Sequence, residues 1–178
     1  NTEVSQAACN ALIGALGIMA GSQGTMNNFV WGNAEFQNYE TIAGGTGAGP
    51  GFHGCDAVQT HMTNTKMTDP EILESRFPVR LWSFAIRRGS GGAGAYRGGH
   101  GALRRLEFLT DVTVTTLCSH RTIPPFGAVG GGTGFTGENW AELPDGRQIA
   151  LQGNDEIDLP AGSIFGLATP GGGGWGRA

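Results

Sequence analysis

Thr60-His61-Met62-Thr63-Asn64-Thr65 places an imidazole, three hydroxyls and a primary amide within six residues. The imidazole titrates near neutral pH and can take up or return a proton, while hydroxyls and amide both donate and accept hydrogen bonds. That combination suits proton transfer on a small polar amide held by hydrogen bonds. Asn27, Asn28 and Glu40 could complete such a pocket. His61 and Glu40 are therefore the candidate catalytic residues, and Asn27, Asn28, Thr63 and Asn64 the candidate substrate-binding residues. The same string also suits a threonine-rich, exposed strand edge.

Other groupings carry less. His53, Cys55 and Asp56 are metal-ligand types, with His61 five residues beyond, but there is no H-E-x-x-H and no paired C-x-x-C. A glycine loop does not fix ligand geometry, so no metal site is assigned. No G-x-S-x-G elbow exists. Cys55 beside His53 could be an activated thiol, although a free cysteine is more often a small core residue. Arg87, Arg88, Arg97, Arg104 and Arg105 could grip a phosphate or carboxylate, but ion pairing with Asp and Glu is the commoner use of such residues. G-x-G-x-x-G occurs at 49–54, 89–94 and 132–137. At this glycine content about one match arises by chance, and none precedes a convincing helix as dinucleotide binding requires. A P-loop is excluded because Lys66, the sole lysine, follows Thr65 rather than glycine.

The elements that must position these residues follow from composition and pattern. The chain has 178 residues, of which 33 are Gly, 8 Pro and only 15% charged, with net charge −4. So much glycine excludes a helical bundle, and the lack of a three-residue glycine period excludes collagen. With 39% hydrophobic residues, including 9 Phe and 4 Trp, it can bury a core. No basic stripe points to nucleic acid. No run of about 18 apolar residues could span a membrane. Three scattered cysteines fit reduced, cytoplasmic thiols better than a disulfide framework.

Residues 2–20 read as a helix with Asn1 or Thr2 as N-cap and Gly21 as its αL end. At 100° per residue, Val4, Ala8, Ala11, Leu12, Ala15, Ile18 and Met19 form a core-facing stripe, leaving Glu3, Gln6 and Asn10 on the far side. Gly14 and Gly17 would allow close approach of another element. Asp69-Pro70 opens a short helix over 71–76. Strands are expected at 25–32, 36–42, 79–88, 102–109, 112–118, 147–151, 156–159 and 163–168. Four clusters, at 44–54, 89–101, 127–137 and 171–176, hold 24 of the 33 glycines. They read as ordered loops where backbone passes close to backbone or ligand. The expected fold is α+β, mainly antiparallel β in a sandwich- or barrel-like arrangement, with an N-terminal helix and glycine-rich loops.

Several long strings resemble the hydantoinase B/5-oxoprolinase family: MNNF at 26–29, YETIAGGTGAGP at 39–50, THMTNT at 60–65, DPEILESRFPV at 69–79, RRGSGGAG at 87–94, RGGHG at 97–101 and TPGGGGWG at 169–176. Their order and spacing agree over essentially the whole chain, and the run at 60–79 is most like 5-oxoprolinases. The resemblance implies that residues 1–178 are a single C-terminal fragment of such a domain, inactive alone. It implies part of an ATP-dependent cyclic amide hydrolase that opens 5-oxoproline to glutamate, or N-methylhydantoin-type rings. A separate hydantoinase A-type domain or subunit would bind ATP and Mg2+ and phosphorylate the carbonyl oxygen, after which the B-type part hydrolyses the activated ring. The family's metal-binding residues belong to the preceding portion, so any divalent metal is expected there and none here. His61, Thr63, Asn64 and Glu40 fall in matching strings. His53, Cys55 and His100 depart from them and receive no role. The expected partners are the A-type domain and a small cyclic amide within an oligomer, in the cytoplasm. The rival expectation is a structural docking module whose glycine loops contact the A-type partner or another copy.

Overall fold

Alternation of Val112, Val114 and Thr116 with Thr113, Thr115 and Leu117 buries one face of a strand and leaves the other half-exposed. This pattern repeats through a computed structural model that describes residues 2–178. The expected Asn1 cap lies outside the described residues. The elements in chain order are α1 (Thr2–Ala15), β1 (Asn28–Gly32), β2 (Gln37–Thr41), α2 (Pro70–Arg76), β3 (Val79–Arg87), β4 (Gly101–Phe108), β5 (Val112–Leu117), β6 (Glu138–Glu142), β7 (Gln148–Leu151), β8 (Asn154–Leu159) and β9 (Ile164–Ala168).

The described strands form two antiparallel sheets, ordered β2-β1-β5-β8 and β3-β4-β9-β6-β7. Each sheet keeps two free edge strands, so the arrangement is an open sandwich and not a barrel. The sheets meet through aromatic side chains. Phe29 of β1 stacks on Phe165 of β9 with ring centroids 5.0 Å apart. Trp31, fully buried, meets Phe108 of β4 and Phe77 edge-on at 5.5 and 5.3 Å. Such contacts contribute beyond their buried area.

Local signals position α2 and the turns. Asp69 caps α2 by accepting the Glu71 N–H at 3.0 Å, and Pro70 opens the helix. Gly146 and Gly162 supply the positive φ values, 86° and 85°, of the β6–β7 and β8–β9 turns. Two expectations need correction. Strand β6, with sequence ENWAE, lacks the β-branched residues that mark a strand, yet it pairs with both β7 and β9. Helix α1 ends at Ala15 and not near residue 20. Gly17, at φ 63°, is its αL residue, with Ile18 N–H bonded to Ile13 O and Gly17 N–H to Gly14 O, a Schellman cap.

The four glycine clusters lie against one another and are joined largely through backbone hydrogen bonds. Gly92 N–H donates to Gly172 O, Gly172 N–H to Gly99 O, Gly99 N–H to Thr46 O, and Gly174 N–H to Gly132 O. A Cβ added at Gly172 would overlap the Thr46 carbonyl, and one at Gly45 the Gly99 carbonyl. Glycine is required at these positions by close approach of main chain, as the clustering suggests. These loops are clamped by side chains at their rim. Asp56 Oδ1 accepts from Arg97 Nη1 and His100 N–H, at 2.9 and 2.8 Å. Burial tends to raise the Asp56 carboxyl, but the His100 N–H and the Arg97 guanidinium outweigh it and hold it below its ordinary value.

Candidate functional site

The site is organised by the polar face of α1. Glu3, Gln6 and Asn10 lie at i, i+3 and i+7 and share one side of the helix. Contrary to expectation this is the inward side: Gln6 and Asn10 are the buried residues of α1, while Val4 and Leu12 are exposed. The reason is the surface they meet, which presents backbone amides and hydroxyls instead of hydrocarbon. Gln6 Nε2 donates to Thr60 Oγ1 at 2.8 Å, and Gln6 Oε1 accepts from Met62 N–H at 3.0 Å and Thr63 Oγ1 at 3.4 Å. Asn10 Oδ1 accepts from Ser22 N–H at 2.9 Å and lies 3.4 Å from His61 Nε2. Glu3 accepts from Thr25 Oγ1, Met26 N–H, Asn28 Nδ2 and Ser119 Oγ. A buried polar face is tolerated because its groups are paired.

His61 is half-buried and has φ 54°, a left-handed conformation uncommon outside glycine. Because Ser22 N–H identifies Oδ1 as the acceptor of Asn10, we assign the proton of the neutral His61 ring to the facing Nε2 and the lone pair to Nδ1. Burial lowers the His61 pKa below the ordinary imidazole value, which favours that neutral ring. A second histidine lies near Gly24. His120, also left-handed at φ 54°, directs Nδ1 at Ile123 O, and its Nε2 and the Asn10 amide occupy the space that a Cβ at Gly24 would need.

The other candidates divide between two places. Thr63 is buried beside His61 on Gln6, and Asn64 is exposed. Asn27, fully buried at φ 49°, donates to Gln23 Oε1 and Ile42 O and accepts from Arg121 Nη1 at 3.0 Å. Asn28, on the outer face of its sheet, accepts from Tyr39 OH and donates to Leu117 O, both at 2.6 Å. Asn28 is tied through Glu3 to the same helix face as His61 and Thr63. Glu40 is not brought to them. It points between the sheets, where Arg104 Nε and Nη2 clasp its two oxygens at 2.9 and 2.8 Å, with both side chains almost wholly buried. Burial raises the Glu40 carboxyl, and the charge and hydrogen bonds of Arg104 work against that rise.

Sequence reasoning missed the residues that hold the site: Gln6, Asn10, Arg121 and His120. Three aligned polar residues on an otherwise uncharged helix were the available signal for the first two. Arg87, Arg97, Arg104 and Arg105 pair with Glu138, Asp56, Glu40 and Glu142, as the ion-pair reading expects. Among the described residues no group of three or more His, Cys, Asp or Glu could hold a metal ion. Cys9, Cys55 and Cys118 are free, and burial raises the Cys118 thiol to about 11. No described helix is long and apolar enough to cross a membrane. A separate cleft of ≈ 800 Å³ opens on the outer face of the five-stranded sheet, where the Trp140 ring lies across Gly166 and Arg105 pairs with Glu142. None of the six candidate residues lines it.

The sequence comparisons with known proteins agree on one family. The family model described as hydantoinase B/oxoprolinase matches residues 1–178. 5-Oxoprolinase 1 of Arabidopsis thaliana is 46% identical over 99% of this chain, and 5-oxoprolinase of Dictyostelium discoideum 43% identical over 99%. The chain spans 14% of the length of each of these relatives. Among solved structures, an ATP-dependent caprolactamase from Pseudomonas jessenii superposes with TM-score 0.77 at 21% identity, covering 94% of this chain and 32% of its own. A nucleotide-free acetone carboxylase, from work on ATP-dependent acetone carboxylation, gives 0.74 at 20%, covering 90% and 27%. At such identities these two share the fold. The match over the whole length and the identity to 5-oxoprolinases place the chain in the hydantoinase B/oxoprolinase family.

Proposed function

We propose that this chain is the C-terminal portion of an ATP-dependent cyclic amide hydrolase that opens 5-oxoproline to glutamate. The observation that carries the reading is its 46% and 43% identity to two 5-oxoprolinases across nearly every residue. The THMTNT string at 60–65 agrees with it. ATP and Mg2+ belong to a hydantoinase A-type partner, fused or separate, and supply activation of the lactam carbonyl. The glycine loops here are unsuited to cradle phosphate, because amides such as those of Gly92, Gly99, Gly172 and Gly174 already donate to main-chain carbonyls.

Within that enzyme the segment 60–65 borders the ring-opening site. His61, neutral and oriented by Asn10, accepts a proton at Nδ1 from attacking water. Asn64, exposed beside it, is the residue free to hydrogen-bond the substrate. Thr63, Asn27 and Asn28 shape the pocket wall through Gln6, Gln23 and Glu3. Glu40 contributes through its clamp on Arg104 and not by proton transfer.

The test uses the full-length enzyme with its A-type partner. ATP turnover and glutamate release are followed with 5-oxoproline, and N-methylhydantoin serves as rival substrate. 5-Oxoproline should stimulate ATP turnover, and His61→Gln should lower kcat about 10²–10⁴-fold. An unchanged kcat/KM in His61→Gln removes His61 from the chemistry.

A further inference from the structure

Helix α1 faces its own chain with amides and a carboxylate and turns its hydrocarbon outward. Val4, Leu12 and Leu16 are 70%, 61% and 64% exposed, and Ile18 just past the cap is 50% exposed. Ala8, Ala11 and Ala15 lie exposed between them on the same arc. Surface helices ordinarily do the reverse. The inversion is stable on the inner side because Glu3, Gln6 and Asn10 are fully engaged there. On the outer side nothing holds water: residues 4–20 contain no Lys, Arg, Asp or Glu. Alongside, the Phe126 ring packs on Gly14 and is itself 36% exposed, which extends the apolar surface beyond the helix. A continuous uncharged apolar patch of this kind marks a contact surface.

We infer that this face is covered by the B-type portion of the family polypeptide that lies outside the residues matching 1–178. The relatives align with α1 along with the rest of the chain, yet these residues are only 14% of their length. A large remainder is therefore available to cover the helix. The absence of charge on the patch calls for an apolar protein surface and offers nothing to an anionic lipid headgroup. The glycine clusters, the rival docking surface, are occupied with one another through their own amides and carbonyls. Covering the outer face of α1 fixes the helix whose inner face holds Thr60, Met62 and Thr63, so docking steadies the segment that carries His61. The inference rests on the chain being part of a longer family enzyme, and not on which amide that enzyme opens.

The experiment places the photo-crosslinking residue p-benzoylphenylalanine at position 12 or 16 of the full-length enzyme, assembled with its A-type partner. Position 145, in the exposed β6–β7 turn, sets the background. After irradiation, adducts from 12 and 16 should map by mass spectrometry to B-type residues outside 1–178, well above the background at 145. Adducts joining two copies of α1, adducts to lipid or to the A-type partner, or no adducts above background each overturn the inference. The same preparation is assayed for ATP turnover with 5-oxoproline, so failure of the docking surface is distinguishable from failure of the proposed activity.

Discussion

Glu40 and Arg104 are charged residues buried between two sheets, and each tolerates burial only because of the other. Removing one partner leaves an uncompensated charge in the core. Glu40→Ala should therefore cost about 3–5 kcal/mol in denaturant unfolding, and Glu40→Leu combined with Arg104→Met should recover most of it. If Glu40 acted in proton transfer, that repaired double variant would regain stability and lack turnover; our assignment expects substantial activity in the stable double variant. His61 allows a second prediction. Burial holds its folded pKa below the unfolded value, so its contribution to stability is complete above about pH 6.5 and is lost as pH falls toward the folded pKa. His61→Gln should flatten the fall in melting temperature between about pH 7 and about pH 5. An equal fall in both proteins would contradict it.

At the scale of elements, α1 is held by single residues with several partners. Gln6→Ala leaves Thr60, Thr63 and the Met62 amide without their acceptor or donor, and should cost about 1–3 kcal/mol. Hydrogen exchange should show faster exchange at Met62 before any change in the sheets. The glycine clusters allow a contrasting pair. Gly172→Ala drives a Cβ into the Thr46 carbonyl and should prevent soluble folding, while at Gly132 the nearest atoms are Ala93 N and O at 3.4 Å, ordinary contact. Gly132→Ala should stay within about 1 kcal/mol of the parent. What the sequence made legible at this scale was local. Asp69-Pro70 placed α2, and alternation placed β5. The face of α1 was not legible, because a hydrophobic stripe says which side avoids water but not that the neighbouring surface is made of backbone amides. Strand β6 was hidden for a related reason: its inward Asn139 suits this interior through hydrogen bonds with Thr116 and Arg121, and only the small Ala141 joins the apolar core. The candidate site was half legible. His61 and Thr63 lie in one string, but Gln6, which bonds Thr60 and Thr63, is 54 residues from Thr60 in the chain.

Across the whole molecule, three materials divide the work. An aromatic core joins two open sheets, a glycine backbone core closes one end, and a polar helix face fastens the 60–65 segment to both. This division explains a chain with 33 glycines and only 15% charged residues. Its buried charges and amides are paired internally, while its apolar helix face looks outward. Our proposal is that such a portion completes a larger enzyme. The most direct test of that account measures ADP and glutamate together in the full-length enzyme supplied with ATP and 5-oxoproline. The account predicts coupled formation of both products, abolished or strongly reduced by His61→Gln. ATP turnover indifferent to 5-oxoproline, with no glutamate formed, would contradict it.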